Sequence, residues 1–123
     1  MKILILSFFI LSGITNADEI LYSCSQAKTE LFDLEKESSD GYKKGSMTID
    51  IIIKDKKVYV KSNTSESELL YLGNTSSPQF LEKVSSGHFV LYSVHEKSKV
   101  MTIQKSYSMI GHPIMVNSYL RCR

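Results

Sequence analysis

The feature of this sequence that most limits its fold is an alternation of apolar and polar residues with a period of two. The clearest run extends from Met47 to Ile53, and after the polar turn Lys54 to Lys57 the run Val58 to Lys61 resumes the alternation. Successive side chains of a strand point to opposite faces of its sheet, so this pattern is typical of a half-buried strand. The two runs predict an antiparallel hairpin.

Further short runs of the same kind follow one another along the chain, separated by stretches rich in glycine, serine, asparagine and proline. They are Ile20 to Ser25, Glu68 to Leu72, Phe80 to Val84, His88 to Val94, Lys99 to Ser106 and Ile114 to Cys122. This spacing predicts an all-β fold, either a single antiparallel β-barrel or a barrel-like sandwich of about seven to nine short strands.

Residues 26–37 fit two kinds of structure. Ala27, Leu31 and Leu34 have the spacing of one helix face, whereas Phe32 and Leu34 fit a strand equally well. The neighbouring runs favour a strand here, and one short helix is the alternative.

The first residues have the layout of a secretory signal. Lys2 supplies a positive charge, an apolar run extends from Ile3 to about Ile14, and Ala17 ends a small-x-small cleavage site. A run of about twelve residues is too short to cross a hydrocarbon core of roughly 30 Å as a helix. We therefore expect residues 1–17 to be a cleaved signal peptide. Residues 18–123 would form a single β domain, periplasmic or secreted, with no membrane span.

The only two cysteines, Cys24 and Cys122, lie near the two ends of the mature chain. In an exported protein such a pair is more often a disulfide than two free thiols. Cys24 shares a predicted strand face with Ile20 and Tyr22, and Cys122 shares one with Leu120. This parity predicts that the first and last strands are neighbours, joined by the disulfide near the seam of a closed or nearly closed sheet.

The charged and histidine residues favour neither nucleic-acid binding nor catalysis. The chain has 15 basic and 13 acidic side chains, spread in mixed clusters, so no nucleic-acid partner is expected. His88 and His95 are seven residues apart, which puts them on opposite faces of one strand, and His112 lies in a predicted loop. Motifs for metalloproteases, phosphate loops and serine elbows are absent from the sequence. We expect a protein that is not an enzyme and uses neither metal nor cofactor.

Several tyrosines on predicted strands offer a candidate binding surface. If Tyr59, Tyr71 and Tyr119 share an outer or mouth-facing surface, they form a binding patch. The alternative is packing in the core or between strands, where aromatic side chains are common.

Several short motifs resemble those of small exported bacterial β-proteins of unassigned function. They are Tyr22-Ser23-Cys24 near the mature start, the central hairpin, and the closing stretch from Ser106 to Cys122. The resemblance covers most of the mature chain and implies no function.

The chain also resembles, more weakly, the membrane-bound and periplasmic inhibitors of c-type lysozyme. That family has an eight-stranded barrel, an N-terminal Tyr-x-Cys, a terminal disulfide and a Ser-Gly-x-x-Tyr loop whose serine enters the enzyme cleft. Ser86-Gly87-His88-Phe89 stands where such a loop would be, with Lys97 or Lys99 downstream in place of the family's lysine. A phenylalanine replaces the final tyrosine, and the chain has no tryptophan. The plain alternative is a hairpin turn over residues 85–87.

These patterns favour an exported, disulfide-linked, non-catalytic binding protein that presents loops or an exposed strand face to a protein or envelope partner. One alternative, implied by the second resemblance, is inhibition of c-type lysozyme through the Ser86-Gly87 loop. Another is a lipocalin-like carrier, because barrels of this size can hold one small ligand. The sequence makes no prediction of oligomeric state.

Overall fold

Nine β-strands and their connecting turns make up the described part of the chain, which contains no helix. The computed structural model describes residues 19–73, 76–84, 88–109 and 111–123. The predicted signal peptide, Ser86 and Gly87 lie outside the described residues. The strands are β1 (Glu19–Asp33), β2 (Ser38–Lys44), β3 (Thr48–Lys54), β4 (Lys57–Lys61), β5 (Glu66–Gly73), β6 (Gln79–Lys83), β7 (Phe89–His95), β8 (Val100–Met109) and β9 (His112–Cys122).

The strands form one antiparallel sheet that closes on itself. Eight of them pair in the order β1, β3, β4, β5, β6, β7, β8, β9, and β9 pairs back with β1. Among the described residues, β2 pairs only with β1 and lies outside this ring as an extra strand. The all-β prediction is confirmed, and of its two forms the structure has the barrel.

The two halves of strand β1 pair with different strands, the first with the barrel strand β3 and the second with β2. Residues 19–25 pair with β3, whereas residues 28–33 pair with β2, and Gln26 has a φ of 61° in the irregular step between the two halves. On its other side β1 pairs with β9 from Cys24 to Asp33. The strand interpretation of residues 26–33 is therefore confirmed and the short helix is wrong, because pairing on both sides outweighs local helical spacing. Residues 34–37 form a turn.

The face predicted for the first strand is right for Tyr22 and Cys24 and wrong for Ile20. The pairing of β1 with β3 shifts between Ile20 and Tyr22. Ile20 is 58% exposed, whereas Cys24 is 1% exposed. An extra residue in one strand moves the following side chains to the other face, so the period-two argument does not extend across this bulge.

Side chains from the inward faces of the strands fill the barrel interior. The buried cluster consists of Cys24, Ala27, Ile49, Ile51, Val60, Leu69, Phe80, Val90, Tyr92, Val94, Met101, Ile103 and Leu120. Because these side chains pack against one another, the carrier alternative gains no support from the described interior.

The predicted disulfide is present at the closure of the barrel. Cys24 of β1 and Cys122 of β9 are paired residues with Cα atoms 3.9 Å apart, and a disulfide joins them. A disulfide fits an oxidising compartment. We call this end of the barrel, which also carries the β3–β4 and β7–β8 turns, the disulfide end.

At the opposite end four strands continue past the closed ring. The β8–β9 ladder runs to the pair Met109 and His112, beyond the last β7–β8 pair at Lys105. Beside it lie residues 28–33 of β1 and the whole of β2. We call this four-stranded part, residues 28–33, 38–44, 106–109 and 112–118, the extension.

Candidate binding surfaces

The three tyrosines of the predicted patch lie in separate surroundings. Tyr59 lies partly exposed on the outer face of β4. Tyr71 of β5 pairs with the buried Phe80, and their ring centroids are 5.3 Å apart, so it lies at the rim of the barrel interior. Tyr119 of β9 packs instead against Tyr42 of β2. The structure therefore does not bring the three tyrosines together into one surface.

The loop between β6 and β7 contains the predicted inhibitory residues. Its base is closed by the Val84 amide, which donates a hydrogen bond of 2.8 Å to the His88 carbonyl oxygen. Phe89, the first residue of β7, is 53% exposed. The described part of this loop thus ends in an apolar side chain that is available for contact.

The lysines that the resemblance pairs with this loop lie elsewhere. Lys97 and Lys99 belong to the turn between β7 and β8 at the disulfide end. The loop lies at the other end of β7, and a strand of seven residues is about 23 Å long. The loop and these lysines are therefore not brought together.

A contiguous apolar surface, which the sequence patterns do not predict, covers part of the outside of the barrel. Leu70, Leu81 and Leu91 are successive cross-strand partners on β5, β6 and β7. Phe89 and Met115 line the same cleft of about 250 Å³ as Leu81 and Leu91. Each points away from the core, since a residue next to it in sequence is buried. We call these five residues the outer apolar wall.

A groove of about 660 Å³ runs along the outer apolar wall between β5 and β6. The ladder between these strands contains only three pairs, from Leu70 with Leu81 to Gly73 with Gln79. Residues 67–69 and 82–84 are not paired with one another, and they line the groove. Residues 67–69 are paired with β4 and residues 82 and 83 with β7, so only the side of each segment that faces the groove lacks a partner strand, as at a sheet edge.

A second cleft, of about 480 Å³, lies where β2, β1 and β9 run side by side. It is lined by Lys28, Tyr42, Lys44 and Tyr119, which we call the tyrosine–lysine cleft. Lys28 of β1 is paired with Lys44 on one side and with Tyr119 on the other. The cleft therefore forms only when three strands are in register, and no single stretch of sequence encodes it.

Two tyrosines make hydrogen bonds to carboxylates. At the disulfide end the Tyr22 hydroxyl donates to Glu96 Oε2 at 2.5 Å, and burial followed by this bond raises the Tyr22 pKa to about 12. The Tyr92 hydroxyl donates to Glu82 Oε1 at 2.6 Å, and its deeper burial raises the Tyr92 pKa further. Both tyrosines therefore stay protonated at neutral pH and act as hydrogen-bond donors.

The histidines occupy positions of different kinds. His95 is the last residue of β7, with its ring nitrogens 3.4 Å from the Ser77 hydroxyl and 3.5 Å from the Thr102 hydroxyl. His88 precedes β7, and His112, predicted in a loop, is the first residue of β9. Across the described ranges, no three histidine, cysteine, aspartate or glutamate side chains cluster as a metal site.

In the part of the chain that the structure describes, no helix has the length and apolar character needed to cross a membrane. No family model, no curated protein and no solved structure matches this chain.

Proposed function

We propose that this chain is an exported, non-catalytic binding protein that docks a protein partner through the outer apolar wall. The observation that carries the proposal is the exposure of apolar side chains on the outside of a barrel whose inside is already packed. Leu70 is 62% exposed and Phe89 is 53% exposed. A sheet with a filled core normally presents polar residues on its other face, and a contiguous apolar surface marks an interaction site.

The groove beside Leu70 and Leu81 suits a polypeptide partner. Its walls combine apolar side chains and the charged Glu68, Glu82 and Lys83 with two strand segments that are not paired with one another. Main-chain hydrogen bonds to such edges give affinity to an extended peptide, and pockets for its alternate side chains give specificity. Burial of apolar area contributes about 25 cal/mol per Å².

Site-specific photo-crosslinking tests this proposal. A photoreactive phenylalanine analogue is placed at Leu81, or at Tyr59 on the outer face of β4 as the matched control, and the secreted or periplasmic fraction is irradiated. We expect one discrete protein adduct from position 81 and none from position 59. Introducing Leu70→Lys and Phe89→Lys should remove that adduct while the melting temperature stays unchanged.

Two results would contradict the proposal. The first is equal labelling at positions 81 and 59, which indicates non-specific contact. The second is an adduct at position 81 that persists in the Leu70→Lys, Phe89→Lys variant, because the wall would then contribute nothing to binding.

Inhibition of c-type lysozyme through the Ser86-Gly87 loop is the second candidate. It is supported by two features that the resemblance implies, an eight-stranded barrel and a disulfide between its first and last strands. The exposed Phe89 at the end of the loop adds an apolar contact. Because Lys97 and Lys99 lie at the other end of β7, this proposal depends on the loop alone.

A turbidity assay with a c-type lysozyme tests the second candidate. We expect inhibition by the wild-type chain and at least a tenfold weaker effect with Ser86→Ala. Ser65→Ala, a serine substitution in the turn between β4 and β5, is the control. Lack of inhibition at a large molar excess, or equal inhibition by both variants, would exclude it.

A further inference from the structure

Two lysines face each other in the tyrosine–lysine cleft, and neither forms an ion pair with an acidic residue that the structure describes. Lys28 and Lys44 are directly paired across β1 and β2, and both are exposed. The ion pairs found among the described residues use other lysines, at positions 43, 54 and 57. Like charges directly opposite each other destabilise a sheet. An anion held between the two amines would relieve this repulsion.

One carboxylate lies on the same face of β1. Glu30 is two residues from Lys28, and its Oε2 atom accepts a hydrogen bond of 2.8 Å from the Ser39 hydroxyl. This bond directs the Glu30 carboxylate toward β2, and no ion pair with Lys28 or Lys44 forms among the described residues. The cleft therefore keeps a net positive charge.

Two aromatic rings reach across β1 above these lysines. The rings of Tyr42 and Tyr119 come from the two strands that flank β1, and their centroids are 5.9 Å apart at an interplanar angle of 59°. Tyr42 is 59% exposed and Tyr119 is 36% exposed, so a ligand can still cover them. Tyrosine offers an apolar ring face together with a hydroxyl that donates and accepts hydrogen bonds.

We propose that the tyrosine–lysine cleft binds a sugar that carries a carboxylate or sulfate group. The lysine amines bind the anionic group, a tyrosine ring covers the apolar face of the sugar ring, and the hydroxyls bond to those of the sugar. A flat nucleobase fits less well, because rings tilted by 59° cannot enclose it on both faces. The cleft volume of about 480 Å³ lies in the range of small-ligand sites. This site is separate from the outer apolar wall.

Calorimetry and amide NMR shifts of the oxidised chain, residues 18–123, test the proposal. The probes are a glucuronic-acid oligosaccharide, a sulfated oligosaccharide, a neutral glucose oligosaccharide of equal length, inorganic sulfate and adenosine monophosphate. We expect at least one acidic oligosaccharide to bind and to shift the amide signals of the four cleft residues. Binding should weaken when salt approaches about 1 M, where charges are screened beyond about 3 Å.

Substitutions in the cleft separate the contribution of charge from that of the rings. Lys28→Gln and Lys44→Gln should each lower the affinity for the acidic oligosaccharide about fivefold, which is the upper range for an exposed ion pair. Tyr42→Ala, on an exposed strand, should weaken it by a similar factor. Lys97→Gln, at the disulfide end, is the control and should leave affinity unchanged.

Four outcomes would overturn the proposal. They are no binding of either acidic oligosaccharide, equal affinity for the neutral one, equal affinity for inorganic sulfate alone, and tighter binding of adenosine monophosphate. Without binding of an acidic oligosaccharide there is no such site, and equal affinity for the neutral one would show that the lysines give no charge selectivity. Equal affinity for sulfate alone would show that the tyrosine rings contribute nothing. Tighter binding of adenosine monophosphate would show that the ligand is a nucleotide and not a sugar. The sulfated and carboxylated probes show which acidic group is preferred.

Discussion

The disulfide end and the extension share strands β1 and β9 but are held together by different interactions. At the disulfide end Cys24, Met101 and Leu120 are 1% exposed or less, and apolar contacts surround the disulfide. In the extension, all seven residues of β2 are exposed. Among the described side chains of the extension, only Ile114, Val116 and Ser118 of β9 are buried, so the extension buries side chains of one strand only.

Polar contacts define the extension. The Leu31 amide donates to Asp40 Oδ1 at 3.1 Å, which also keeps the Asp40 pKa below its usual value. In the turn between β1 and β2, the amides of Glu35 and Lys36 both donate to Asp33 Oδ1 at 3.0 Å. Bonds in exposed positions compete with water for the same groups and therefore stabilise weakly. The extension is therefore the part from which we expect local opening first.

The largest predicted effect is loss of the disulfide. Cys24→Ala with Cys122→Ala opens a loop of 98 residues, which in the chain-entropy model is worth up to about 4.7 kcal/mol. We expect the free energy of unfolding, measured by urea denaturation, to fall by several kcal/mol. Reduction of the wild-type chain should give the same loss. A variant as stable as the oxidised parent would show that the barrel closes without this bond.

A cavity at the disulfide end should cost more than truncation of an exposed apolar side chain in the turn that joins β1 and β2. Met101 is 0% exposed, whereas Leu34, in the turn between β1 and β2, is 40% exposed. We expect Met101→Ala to lower the free energy of unfolding by about 3 kcal/mol and Leu34→Ala by less than about 0.5 kcal/mol. Equal losses in urea denaturation would refute the contrast between the two regions.

A hydrogen bond inside the barrel should contribute more than one in the extension. Tyr92→Phe removes the donor to Glu82 and is expected to destabilise the protein by about 1.5 kcal/mol, as for bonds to charged groups. Ser39→Ala removes the donor of an exposed hydrogen bond to Glu30 and should cost less than about 0.5 kcal/mol. If Ser39→Ala proved the more costly, polar bonding in the extension would be more important than its exposure suggests.

The same buried tyrosine predicts a loss of stability at alkaline pH. Burial first, and then the Glu82 bond, raise the folded-state pKa of Tyr92 above its ordinary value of 10.0. The unfolded chain therefore loses this proton near pH 10 while the folded chain keeps it, so stability is complete below that pH and falls above it. The slope is about 1.4 kcal/mol per pH unit at most. In Tyr92→Phe the free energy of unfolding should fall less steeply with pH. An identical fall would show that other groups cause the loss of stability.

Much of the barrel could be predicted because its signals are local. The β3–β4 hairpin follows from alternation around Ile51, and the pairing of the first and last strands from the parity of Cys24 and Cys122 in their own strands. The disulfide itself follows from the presence of two cysteines in a chain expected to be exported. Strand β2 could not be predicted, because SSDGYKK carries no alternation of apolar residues. Its structure depends on pairing with β1, in a register that shifts between Glu30 and Phe32.

The binding surfaces were harder to predict because they depend on relations between strands. The run from Leu69 to Leu72 is apolar on both phases, so alternation alone cannot say which side faces the core. Only the neighbouring Leu81 and Leu91 reveal the outer apolar wall. A search for strands with apolar residues on both phases would have identified it. The tyrosine–lysine cleft gave no comparable signal, since its residues come from three strands.

The smallest predicted effect compares a glycine inside strand β2 with the glycine that directly follows this strand. Gly41 has a φ of +81°, in the left-handed region, while Gly45 has no such φ, and an added Cβ would meet no atom within 4 Å at either position. Gly41→Ala should therefore destabilise by about 1 kcal/mol through backbone conformation alone, and Gly45→Ala should be neutral or slightly stabilising. Because the register shift beside Gly41 aligns Lys44 with Lys28, hydrogen exchange should rise in residues 38–44 and not in β3. Faster exchange throughout the barrel would show that the extension and the disulfide end open together.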